Sequence, residues 1–123
     1  MLFRGLLLVG AGGAAGSMAR YGVSYIVSKY VDHPFPFATL AINVVGSLII
    51  GLLFGLLSRH QVQQGTYLLL ASGFCGGFTT FSTFALENVN LMQKGQSFTA
   101  LLYIGFSVIL GLALCKAGIW LAS

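Results

Sequence analysis

Residues 73–84 read GFCGGFTTFSTF, in the middle of a stretch otherwise apolar enough to cross a membrane. Gly73, Gly76 and Gly77 each weaken a helix by about 1 kcal/mol against alanine, and the threonines that follow are poor helix formers too. Hydrocarbon offers no water to an unpaired N–H or C=O. Unwound backbone therefore survives at membrane depth only where protein buries it or a cavity reaches it. The stretch predicts a third span broken mid-membrane, with main-chain carbonyls in need of a partner, and a small cation such as Na+ suits them. Phe81 and Phe84, three apart, share a face once the helix resumes, and Ser82 and Thr83 between them add hydroxyl donors. The plainer reading of the same letters is a bent helix with phenylalanines in its core.

The surrounding chain supports a membrane setting. It has 123 residues, 57% hydrophobic and 7% charged, with mean hydropathy +0.92, whereas soluble domains carry roughly 25% charged residues. A membrane-crossing helix needs about 20 mostly apolar residues, and four windows qualify, at about 5–27, 35–57, 67–91 and 98–121. Transmembrane strands would alternate polar and apolar residues, which runs such as SLIIGLLFGLL do not. The expectation is one all-α membrane domain over residues 1–123, with four transmembrane helices and no water-soluble part.

Several other classes fall away. The opening MLFRGLLLVGAGGAAGS resembles a signal peptide, but no exported domain follows it in this sequence. GAGGAAG from Gly10 matches a dinucleotide fingerprint, with Asp32 about 20 residues on. That fingerprint needs a preceding strand and a soluble crossover unit, which a chain this apolar cannot build. Cys75 and Cys115 form no CxxC or Cys/His cluster and read as small buried hydrophobes. The net charge of +4 comes from six scattered basic residues, so no nucleic-acid patch forms.

The placement of those basic residues says more. With four spans, Arg4, Arg59 and Lys116 belong to one side, and Arg20, Lys29 and Lys94 to the other. Orientation follows Lys/Arg asymmetry, and three against three gives almost none. The chain is expected to insert both ways round, which permits an antiparallel dimer. Gly12/Gly16, Gly51/Gly55 and Gly73/Gly77 stand four apart, the spacing that lets helix backbones approach closely in lipid.

A few polar side chains remain inside the spans. Arg20 and Glu87 are charges where charge is costly. Arg20 either snorkels to the interface or lines an aqueous vestibule that favours anions, and Glu87 either sits near water or has a function the letters do not reveal. Asn43 needs partners that hydrocarbon lacks, as interhelical glue or as part of a path; Thr39 is four residues before it on the same face. Tyr103 and Ser107 share a face of the fourth span. Ring edges of Phe81 and Phe84 are electropositive because the π quadrupole puts negative charge on the faces, so they can meet an anion without trapping it.

Together GGAAGSMARY, TLAINVVGS and above all GFCGGFTTFSTF resemble the Fluc family of bacterial fluoride channels, and the likeness touches all four spans. The resemblance implies an antiparallel, dual-topology homodimer in the bacterial inner (cytoplasmic) membrane. It implies two fluoride pores and a central structural Na+ at the dimer interface, held by the backbone carbonyls of Gly76 and Thr79. Phe81 and Phe84 then line the fluoride path with Asn43 near it. Ser82, Thr83, Tyr103, Ser107 and Thr39 form the polar track, and Arg20 the vestibule. Gly111 departs from the pattern, standing where a further hydroxyl would extend the track, so that end of the path is left undefined. The implied activity is passive fluoride export, not enzymatic catalysis. The alternative is a small proton-coupled exporter of the multidrug-resistance type, which relies on a carboxylate in its first span; here that span carries Arg20. A non-transporting subunit is the other rival.

Overall fold

The computed structural model describes Met1–Ser123, and its spans are helical apart from one break in the third. Helix α1 covers Leu2–Tyr30 and α2 Phe37–Ser58. The third span begins as α3 (Gln64–Tyr67), widens into a π-helix over Leu68–Cys75 and closes with the single turn α4 (Gly76–Phe78). After two extended residues it resumes as α5 (Phe81–Gln93), and α6 (Ser97–Leu121) follows. Four stretches, Leu2–Tyr30, Phe37–Ser58, Gln64–Gln93 and Ser97–Leu121, are long and apolar enough to cross a membrane.

Local chemistry sets the boundaries. Helix α2 starts at Phe37, two residues later than hydropathy alone indicates, because Pro34 and Pro36 hold the chain before it out of helical conformation. Helix α5 stops at a Schellman turn: Gly95 takes φ +77°, Gln96 N–H bonds Leu91 O at 2.8 Å and Gly95 N–H bonds Met92 O at 3.1 Å, capping carbonyls that would otherwise be bare. Helix α2 ends in the same way, with His60 at φ 58° in the glycine position. Arg59 Nη1 also donates to Ala122 O at 2.9 Å, so the ends of α2 and α6 meet on one side, as four alternating spans require.

Packing runs along two glycine seams. In the first, α1 lies on the π-helix and α4. A Cβ on Gly12 would overlap the Leu69 carbonyl, one on Gly16 the Phe74 carbonyl, and one on Gly77 the Gly13 backbone. In the second, α2 lies on α6, with Gly51 against Cys115 and Gly118 against Leu48 in the same manner. All three spaced glycine pairs thus sit at close backbone approaches, where dispersion contacts replace the hydrophobic drive that lipid cannot supply. Two small apolar clusters fill the remaining space. Leu53 of α2 packs against Ala71 and Cys75 of the π-helix, and Leu91 of α5 against Ala100 and Tyr103 of α6.

Only 18 of the 123 residues are buried within one chain, so most of its large apolar side chains face lipid or another protein surface.

Candidate ion site at the helix break

The break follows from what each residue near it does with its hydrogen bonds. Thr79, at φ −81° and ψ 156°, leaves the helix, yet both its N–H (2.9 Å) and its hydroxyl (2.8 Å) still donate back to Cys75 O. Thr80 is fully extended, at φ −150° and ψ 126°, so its N–H has no carbonyl four residues behind to reach. Asn43 takes that place. Its Oδ1 accepts from Thr80 N–H at 2.9 Å and its Nδ2 donates to Thr80 O at 3.1 Å. One side-chain amide from α2 thus stands in for a neighbouring strand. Thr80 Oγ1 then caps α5, accepting from Thr83 N–H at 3.2 Å, the usual N-cap arrangement.

The carbonyls before the break divide accordingly. Arg20 Nε donates to Gly77 O at 3.1 Å, and Thr80 O is held by Asn43. Thr80 N–H, the amide that a continuing helix would bring to Gly76 O, is held by Asn43 instead, and Thr79 O accepts no backbone N–H. Both Gly76 and Thr79 border an open groove of about 530 Å³ between α2, the third span and α6. Nowhere do three or more His, Cys, Asp or Glu side chains gather as a metal site, so the oxygens bordering this groove are those of backbone, hydroxyl and amide groups.

Phe81, Phe84, Asn43 and Ser107 border the same groove. The two phenylalanine rings stand 5.8 Å apart, tilted by 42°, and Phe81 is 80% exposed. Ser107 Oγ is buried without a hydrogen-bond partner. Unpaired buried polar atoms are few in native structures and each calls for an explanation; of the three here, Asn88 Oδ1, Gln96 Oε1 and Ser107 Oγ, Ser107 alone belongs to a residue bordering the groove. The residues around the groove therefore include aromatic rings and an unused hydroxyl of the kind that suits an anion, beside an unused carbonyl at Thr79 of the kind that suits a cation.

Other expected residues lie elsewhere. Thr39 and Tyr103 are buried away from the groove, and both bond Glu87: Thr39 Oγ1 to Oε2 at 3.0 Å and Tyr103 OH to Oε1 at 2.8 Å. Phe84 separates the two places, its ring edge-on to Tyr103 at 5.0 Å. Ser82 is exposed, with its Oγ 3.4 Å from Thr80 Oγ1, and Thr83 serves the cap of α5; neither borders the groove. Arg20 is half-buried and anchored at Gly77, neither reaching freely for the interface nor wholly free to meet an anion.

Glu87 had no assignment from the letters. The available signal was its spacing of three from Phe84, which puts both on one face of α5.

The architecture is that of a small multi-pass α-helical membrane protein with a discontinuous third span and polar groups left open beside it. Residues 7–119 match the family model described as CrcB-like protein, Camphor Resistance (CrcB). The chain is 47% identical over 123 residues to a protein of Chlorobaculum tepidum, covering 99% of this chain and 97% of that one. It is 42% identical over 118 residues to one of Flavobacterium psychrophilum, covering 95% of each. With one of Nitrobacter winogradskyi the identity is 44% over 115 residues, 93% of this chain and 91% of that one. Each of the three is named fluoride-specific ion channel FluC. The chain belongs to this CrcB family, the one its motifs resemble.

Proposed function

We propose that this protein is a passive fluoride channel of the bacterial cytoplasmic membrane, working as an antiparallel homodimer with two pores. The observation that carries the reading is the groove at the break, where Phe81, Phe84, Asn43 and the unpartnered Ser107 hydroxyl converge. A fluoride ion leaving water loses strong hydrogen bonds and needs donors in exchange. Ser107 supplies a free hydroxyl, and the phenylalanine edges supply weak positive potential that does not trap the ion. Asn43 has its amide engaged with Thr80, so its part is to hold the break open and the ring-bearing helix in place. The names of the relatives agree with this substrate.

The same reading puts a structural Na+ against the carbonyls of Gly76 and Thr79, joined by those of the second copy. The fit rests on three features: Thr79 O accepts no backbone N–H, the amide that would continue the helix onto Gly76 O is held by Asn43, and hard alkali cations favour carbonyl oxygen. When bound, the ion supplies a fixed positive charge at the interface. Asn43 holds the extended Thr80 backbone through both its N–H and its carbonyl, and Arg20 occupies the intervening Gly77 oxygen.

Fluoride enters a cell as neutral HF, dissociates at the higher internal pH and accumulates as an anion. A membrane potential contributes about 2.3 kcal/mol per charge per 100 mV, and a negative interior drives the anion out, so a pore suffices. The test is ion flux from liposomes holding the purified protein. Fluoride efflux without a pH gradient, far faster than chloride efflux, is expected. Strict dependence on a proton gradient would transfer the protein to the exporter class. Cysteine cross-links that form only between oppositely oriented copies test the dimer.

A further inference from the structure

We propose that Ser47 carries the anion path one helical turn beyond Ser107, supplying from α2 the hydroxyl that α6 lacks at Gly111. This rests on the channel reading. Ser107 is the last hydroxyl along α6, and its Oγ is buried, unpartnered and at the groove. Four residues further on, one turn along the same face, α6 has only Gly111. The atom facing that gap is Ser47 Oγ, 3.5 Å from where a Gly111 Cβ would stand. Ser47 borders the groove as well, four residues after Asn43 on the same face of α2. An ion moving past Ser107 therefore meets its next hydroxyl across the α2–α6 seam.

The Ser47 hydroxyl donates to Asn43 O at 2.7 Å. This is a back-bond of the kind serines make within helices, in which the carbonyl can also serve the helix ladder. Rotation about one side-chain bond frees the proton to point into the groove. A hydrogen bond to an anion is roughly twice as strong as one between neutral groups, so a passing fluoride outcompetes the carbonyl. The back-bond stores the donor between ions; it is not the reason the residue is polar.

The test moves the hydroxyl from one helix to the other. With purified protein in liposomes and Na+ on both sides, Ser47→Ala is expected to slow fluoride efflux about tenfold. Adding Gly111→Ser to that variant is expected to bring efflux back to within about threefold of wild type, because the Gly111 gap accepts a serine at ordinary contact distance. A Ser47→Ala protein that conducts like wild type overturns the proposal, as does a double variant no faster than the single one. Should Ser47→Ala fail to fold, Ser47→Thr and Ser47→Val decide instead, since they share a shape and differ in the hydroxyl. The threonine form should conduct and the valine form should fall about tenfold behind it, and equal rates overturn the assignment. Wild-type protein that passes no fluoride is a separate failure and removes the channel reading itself.

Discussion

Two polar places lie on either side of Phe84, and they handle hydrogen bonding in opposite ways. On one side Glu87, Thr39 and Tyr103 form a closed set: each carboxylate oxygen has a donor, and Thr39 and Tyr103 are shut off from the surface. On the other side the groove at the break is bordered by Ser107, whose hydroxyl is unpartnered, and by Thr79, whose carbonyl accepts no backbone N–H. The closed set ties α2, α5 and α6 together. The open groove leaves bonding capacity to something that is not part of the chain. In a membrane, where an unpaired polar group is costly, the first place meets its own hydrogen-bonding needs and the second does not.

The hardest blow to the open side is Asn43→Ala. It strips two extended-backbone groups of their partners, each worth about 1–3 kcal/mol when left buried and bare. Fluoride efflux should drop at least about a hundredfold; efflux near wild type would mean that the break holds itself open without the clamp. Next come Phe81→Ile and Phe84→Ile, which keep apolar bulk but remove the electropositive edges. Each should cost about tenfold in fluoride flux, on the scale of one aromatic contact of about 0.5–1.5 kcal/mol. If both conduct normally, the rings are mere core and the path runs elsewhere.

The closed side should respond in stability. Tyr103→Phe deletes one interhelical hydrogen bond to Glu87 and is expected to lower unfolding free energy in detergent by about 1–2 kcal/mol. A larger loss of flux than of stability would move Glu87 and Tyr103 from glue into the path. The smallest change is Thr80→Val, which removes the cap of α5 while keeping the shape. Thermal unfolding should report about 1 kcal/mol, and no change would show that Asn43 alone secures the break.

Much of this was legible in the letters, though unevenly. The break could be read from Gly76, Gly77, Thr79 and Thr80 because helix propensity is a local property of consecutive residues. Gly12/Gly16, Gly51/Gly55 and Gly73/Gly77 announced close seams because a four-residue spacing fixes one helix face. The same logic grouped Thr39 with Asn43 and Tyr103 with Ser107, and there it reached its limit. Each pair does share a side of its helix, but Asn43 and Ser107 border the groove while Thr39 and Tyr103 turn to Glu87. One turn along a helix is enough to pass from one neighbour to another.

The sequence by itself determined the membrane setting, the number of spans, the interruption in the third and the glycine seams, since each depends on composition or spacing within one segment. Tertiary structure alone decided that Asn43 pairs with Thr80, that Arg20 reaches Gly77, that Glu87 meets Thr39 and Tyr103 and that Ser47 faces Gly111. Those contacts depend on the relative rotation and register of two helices, which no single segment encodes.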